Sequence, residues 1–174
     1  MRKLFLFLAV LFVTFQQVTL AAIREVASTP DSVYLFSFAT SGDDGRSGLR
    51  FAWSMDQENW FEVGRNYGYL RCDYSRWGSQ KKMLDPCLKQ SSEGEWICTW
   101  KLNDRDGYGQ ATSKDLIYWT SQKYPRTTSD FEGMRVKAMV AGEEQKGSIN
   151  RVAWELVEGL SKHYDWNQYR HSLY

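Results

Sequence analysis

The 174-residue chain has only two histidines, His163 and His171, and both stand in its polar tail. Its three cysteines, Cys72, Cys87 and Cys98, lie far from them, so the clustered spacing of a metal centre is missing. No metal or other cofactor is expected. The chain also lacks an excess of either charge, with 22 Lys and Arg against 21 Asp and Glu. A near-neutral surface argues against nucleic acid, which demands a basic face. No apolar run is long enough to cross a bilayer: the longest, Leu4 to Phe15, has 12 residues, where a span needs about 20.

That run follows Arg2 and Lys3 and precedes Thr19-Leu20-Ala21-Ala22. Charged, apolar and small segments in this order read as a secretory signal peptide cleaved near Ala21. No cysteine sits near the cleavage point to carry a lipid anchor. The expectation is a signal peptide at 1–21 and a secreted or periplasmic protein without membrane contact after cleavage. Losing Arg2 and Lys3 leaves 20 basic residues against 21 acidic ones, in a length that suits one modest domain.

Aromatic residues are abundant, at 16% of the chain with eight tryptophans. Exposed rings stack on sugars and buried ones fill cores, and composition leaves both uses open. The order of the residues says more. Ala52-Trp53-Ser54-Met55-Asp56-Gln57-Glu58-Asn59-Trp60 returns 59 residues later as Ala111-Thr112-Ser113-Lys114-Asp115-Leu116-Ile117-Tyr118-Trp119. Both read A-x-S-x-D-x-x-x-W. Each follows an aromatic-rich strand, Val33–Phe38 or Trp96–Trp100, and a Gly/Asp-rich turn. A second strand leads into each motif, Leu49–Ser54 or Tyr108–Thr112. Asp56 and Asp115 sit where a tight turn needs a side chain that bonds backbone N–H groups further on. Trp60 and Trp119 then start an outer strand.

A unit of this kind repeated at this length is the signature of propeller blades, and two units cannot close a ring. The fold class expected is therefore mainly β: two propeller-like antiparallel blades, an incomplete wheel, over 22–125. A strand-strand-helix tail follows over 126–174, with strands at 134–141 and 147–152. Its helix runs from Ala153 to about Tyr164, with Trp154, Val157, Leu160 or Ser161, and Tyr164 on one stripe. A hairpin turning at Ser92-Glu93-Gly94 would set Cys87 opposite Cys98, so an oxidising compartment allows either a strained bridge or two buried thiols.

The run Val33-Tyr34-Leu35-Phe36-Ser37-Phe38, then Gly48 to Ser54 with Asp56 and Trp60, resembles the first blade of family 43 glycoside hydrolases. Met83-Leu84-Asp85-Pro86, Gly94-Glu95-Trp96, Trp100 and Gly109 to Trp119 resemble their second blade. The tail from Lys146 to Trp154, with Val157 and Leu160, is similar to a connector of large secreted arabinosidases, where it precedes a separate α-L-arabinofuranosidase domain. The resemblance implies a five-bladed propeller working with carboxylates around a central pocket. Of these, only the Asp before Pro on the second blade, which tunes the acid's pKa and helps hold the sugar, has a counterpart, Asp85. The first-blade strand that carries the base would lie just before Val33, where the chain offers Thr29-Pro30-Asp31. Leu84 stands where the family often has Arg.

Cleaving a glycosidic bond takes two facing carboxyl groups, so one Asp is not enough. The resemblance therefore implies a module that binds arabinan or arabinoxylan through Trp77, Asp85 and Trp100 without turnover. Two alternatives stand beside it. One is an active glycosidase whose pocket is completed by self-association through open sheet edges. The other is a shortened remnant without function.

Overall fold

A computed structural model describes residues 29–103, 107–128 and 136–172. The signal-peptide segment and the turn residues Asp104 and Asp106 lie outside the described residues. The chain divides into a unit ending at Pro30 and a unit from Asp31 onward.

Its first strands are β1 (Ser32–Phe38), β2 (Arg50–Ser54) and β3 (Phe61–Val63); next come β4 (Leu84–Gln90), β5 (Trp96–Asn103) and β6 (Gly107–Ser113). The hairpin strands β7 (Val136–Val140) and β8 (Glu143–Ala153) lead into one helix, α1 (Trp154–Ser172). Two antiparallel sheets result, ordered β3-β2-β1-β8-β7 and β4-β5-β6, the first curled into half a barrel. The mainly β architecture with a helix after the last strand is the one expected. Among the described residues no helix is long and apolar enough to cross a membrane.

The repeated motif builds the same turn twice. Ser54 Oγ accepts from the N–H of Asp56 (3.1 Å) and Gln57 (2.9 Å), and Asp56 Oδ1 accepts from Glu58 and Asn59 at 2.9 and 2.8 Å. Ser113 does the same for Asp115 (3.3 Å) and Leu116 (2.9 Å), and Asp115 Oδ1 for Ile117 and Tyr118, both at 2.9 Å. Each tryptophan indole then donates back to the carbonyl at the turn's third residue, Trp60 to Gln57 (3.1 Å) and Trp119 to Leu116 (3.2 Å). The spacing recurs because in each copy the Ser and Asp side chains and the Trp indole meet backbone groups of the turn at the same offsets.

The tail does not stand apart from the first blade. β8 pairs along the whole of β1, from Ser32↔Ala153 to Phe38↔Gly147. It holds on β1 the place that β4 holds on β5, so the strand missing before Val33 is supplied from more than a hundred residues further on. Ser37 and Thr99, at matching points of the repeat and both fully buried, face Ser148 and Cys87 respectively. β4 and β8 lie side by side, joined by Leu88 N–H donating to Ser148 Oγ (2.8 Å) and Asn150 Nδ2 donating to the Leu88 carbonyl (3.0 Å). Ser148 Oγ also meets Ser37 Oγ at 2.8 Å.

Alternation along β1 then sorts two cores. Val33 and Leu35 join Phe51, Trp96, Cys98, Trp100, Val157 and Leu160 between the sheets and helix. Phe36 and Phe38 pack with Ala52, Ala138 and Val140 inside the half-barrel. The helix is anchored by Tyr69, whose hydroxyl donates to the Leu160 carbonyl at 3.1 Å.

The cysteine pairing is corrected. Ser91 N–H donates to Glu95 O at 2.8 Å, and Gly94, at φ 83, closes a three-residue loop between them. A loop centred on Glu93 sets Cys87 opposite Thr99 and Cys98 opposite Leu88, one residue away from the facing pair expected. A one-residue slip sends the two side chains to opposite faces, and all three cysteines are thiols.

Candidate functional site

The β4–β8 junction opens at its leading end into a cavity of ≈ 360 Å³. Thr40, Ser41, Asp44, Asp85, Glu144 and Lys146 supply its polar lining. Three features of the chain place these groups. Three steps along β4, from Leu84 to Cys87, span two along β5, from Lys101 to Thr99, so the extra residue falls at Asp85-Pro86. Asp85 takes φ 47 there, a conformation that non-glycine residues adopt at a cost of about 1–3 kcal/mol and that is set immediately before a proline. The bulge thus turns a half-buried carboxylate into the mouth and holds it by the pairing on either side.

The facing wall comes from the start of β8. Lys146, two positions before Ser148, lines the cavity together with Asp85, two positions before Cys87. Glu144 stands at the rim in an exposed ion pair with Lys137 (2.8 Å). The third wall is the loop after β1, where Ser41 N–H donates to Gln145 Oε1 at 3.3 Å. Gly45, at φ 71, brings this loop against the backbone before Asp85; a Cβ there would sit 2.0 Å from the Met83 carbonyl oxygen. Lys82 bonds Asp44 at 2.9 Å, and that bond and charge hold the Asp44 carboxyl below its usual range. Asp44 is therefore an acceptor and not a proton donor.

The sequence-derived site residues do not converge. Asp85 lines the mouth. Trp77 is 69% exposed at the start of a 3-10 turn over 78–80, and it is not among the residues lining this cavity. Trp100 is corrected from a sugar contact to core: it is 0% exposed and pressed against Gly109, where a Cβ would lie 2.1 Å from its ring. Lys146 and Glu144 were not anticipated, since nothing local in Glu143 to Ala153 says which strand it pairs with. Among the described residues no group of three His, Cys, Asp or Glu side chains is arranged to hold a metal ion.

No family model matches the chain, and no curated protein does. Its fold resembles part of a solved structure, a candidate glycoside hydrolase of Parabacteroides distasonis ATCC 8503, with 15% identity and a TM-score of 0.40. The match covers 68% of this chain and 39% of that one. A likeness of this extent carries no statement about chemistry.

Proposed function

We propose that this chain is an exported glycan-binding module of an arabinose-directed polysaccharide-degrading system, and that it does not hydrolyse glycosidic bonds by itself. The observation that supports this is the mouth itself, where Asp85 on its bulge and Lys146 line one cavity with the hydroxyls of Thr40 and Ser41. Hydrolysis needs a second carboxyl group facing the first at about 5–10 Å. Of the other carboxyl groups lining the mouth, Asp44 is tied to Lys82 and Glu144 to Lys137 at the rim. Carboxylates, an ammonium group and the hydroxyls of Thr40 and Ser41 make a set of acceptors and donors suited to sugar hydroxyls. Trp77, exposed beyond the mouth, offers a stacking face to a longer chain.

The test is affinity electrophoresis through gels containing arabinan or arabinoxylan. Retardation of the native protein, weakened by Asp85→Asn and by Trp77→Ala, is the expected result. Release of nitrophenol from an aryl α-L-arabinofuranoside by the monomer, abolished by Asp85→Asn, would show an enzyme instead.

A further inference from the structure

The two copies of the repeated turn differ at a position the turn does not need. In the first copy Asn59 Nδ2 donates to Asp56 Oδ2 at 2.8 Å and closes the turn. The second copy has Tyr118 there. Its backbone N–H makes the shared bond to Asp115, yet its side chain stands 73% exposed. A second difference explains how this ring is aimed. The left-handed position holds exposed Gln57 (φ 64) in the first turn but fully buried Leu116 (φ 63) in the second. A bulky side chain at positive φ is strained, and it persists because the core holds it. The second turn is pinned inward where the first rides on the surface.

Pinning sets Tyr118 against α1. Its ring meets the imidazole of His163 edge-on, centroids 6.0 Å apart. Tyr67 lies against the same imidazole at 5.9 Å, with its hydroxyl 3.2 Å from Nε2. Asn167, one helical turn on, donates its Nδ2 to that Nε2 (2.9 Å) and to the Tyr67 hydroxyl (3.2 Å). Trp166, 58% exposed, follows His163 by three residues on the same side of the helix. An exposed ring thus stands beside an imidazole and a carboxamide that are held by one another and by Tyr67 and that both give and take hydrogen bonds.

We propose that Tyr118, His163 and Asn167, flanked by Trp166, form a second glycan-contact site that takes a neutral sugar ring of a polysaccharide on the face of Tyr118. A sugar ring has an apolar C–H face and a rim of hydroxyls that both give and take hydrogen bonds, which is the complement of this arrangement. The inference rests on the reading above for its ligand class alone and shares no residue with the mouth.

The experiment runs wild type, Tyr118→Ala, Tyr118→Phe, Asp85→Asn and the Tyr118→Ala/Asp85→Asn double variant through gels containing arabinan, arabinoxylan or no polysaccharide. Tyr118→Ala should weaken retardation roughly five- to tenfold, as loss of one aromatic contact does, while Tyr118→Phe keeps it. A melting curve matching wild type is expected for Tyr118→Ala, since the side chain is exposed. Retention of full retardation by Tyr118→Ala, or an equal loss in Tyr118→Phe, overturns the site. If Asp85→Asn alone abolishes retardation, the mouth stands and this site falls; if only Tyr118→Ala acts, the reverse holds. No retardation of wild type in either polysaccharide gel overturns both. A concentration-dependent mobility without polysaccharide, removed by Tyr118→Ala, would assign the patch to contact between copies and overturn it.

Discussion

Replacing Ser148 by Ala tests whether β8 belongs to the first blade and locks it to the second. The Ser148 hydroxyl joins three strands. It sits on β8, accepts from Leu88 N–H on β4 at 2.8 Å and meets Ser37 Oγ on β1 at 2.8 Å. All three residues are buried. Alanine leaves the Leu88 N–H without its acceptor, and an orphaned buried donor costs about 1–3 kcal/mol. Ser37 loses less, because its hydroxyl still reaches the Ser148 carbonyl at 3.2 Å. A loss of about 2–3 kcal/mol follows, and in a chain of this size each kcal/mol lowers Tm by about 2–4 °C. The assay is urea unfolding followed by tryptophan fluorescence, on Ser148→Ala, Ser37→Ala and the double variant. Removing both hydroxyls should cost less than the sum of the single changes, by about 0.5 kcal/mol or more. A Ser148→Ala protein within about 0.5 kcal/mol of wild type would refute the reasoning, because an unjoined tail tolerates that change.

The two turn aspartates should make stability fall in acid. Asn59 backbone and side-chain N–H groups, with Glu58 and Ser54, hold Asp56 far below its ordinary 3.8. Burial pushes Asp115 up, but the N–H groups of Tyr118 and Ile117 and the Ser113 hydroxyl outweigh it and lower the net value. A depressed folded-state value gives stability that is present above 3.8 and lost as pH falls below it; melts at pH 5 and pH 2.5 on Asp56→Asn and Asp115→Asn should show a smaller difference than wild type. Gly109→Ala should cost about 2–3 kcal/mol in urea unfolding, since its Cβ would fall 2.1 Å from the Trp100 ring, and an unchanged midpoint would contradict the buried placement of Trp100. A thiol reagent should find no reactive group in the folded protein and three after unfolding, with Cys98 held as thiol by complete burial and by Cys87; a mass lower by two hydrogens would show a bridge. Asp85→Gly should relieve the backbone at φ 47 and raise stability by up to about 1 kcal/mol while weakening glycan retardation, and a lowered Tm would show that Asp85 is not strained.

What could be read from the sequence was what is decided locally. The A-x-S-x-D-x-x-x-W turn is legible because Ser54, Asp56 and Trp60 satisfy one another within seven residues, and copying the spacing copies the structure. Val157 and Leu160 are legible because a helix that packs on a sheet must bury one stripe. Trp100 was misplaced because an aromatic residue on a strand gives no sign of which face water sees; Gly109, its neighbour across β5 and β6, held the clue, as the residue whose missing side chain makes room for an indole. The cysteine register failed by one residue because the Ser92-Glu93-Gly94 loop is centred on Glu93, which sets Thr99 and not Cys98 opposite Cys87. The largest omission has the same kind of cause on a longer scale. β8 is polar and broken by Gly147, since one of its faces meets β4 through Ser148 and Asn150 and not through apolar side chains. Gly147 itself is required, because a Cβ there would lie 1.9 Å from the Ser37 carbonyl oxygen. The strand itself was expected at 147–152, but a partner more than a hundred residues away, and contacts made of hydroxyl and amide bonds, leave no local sign of the pairing. The wall of the mouth opposite Asp85 was hidden for that reason, and the strand that hides it is also the one that makes the first blade whole.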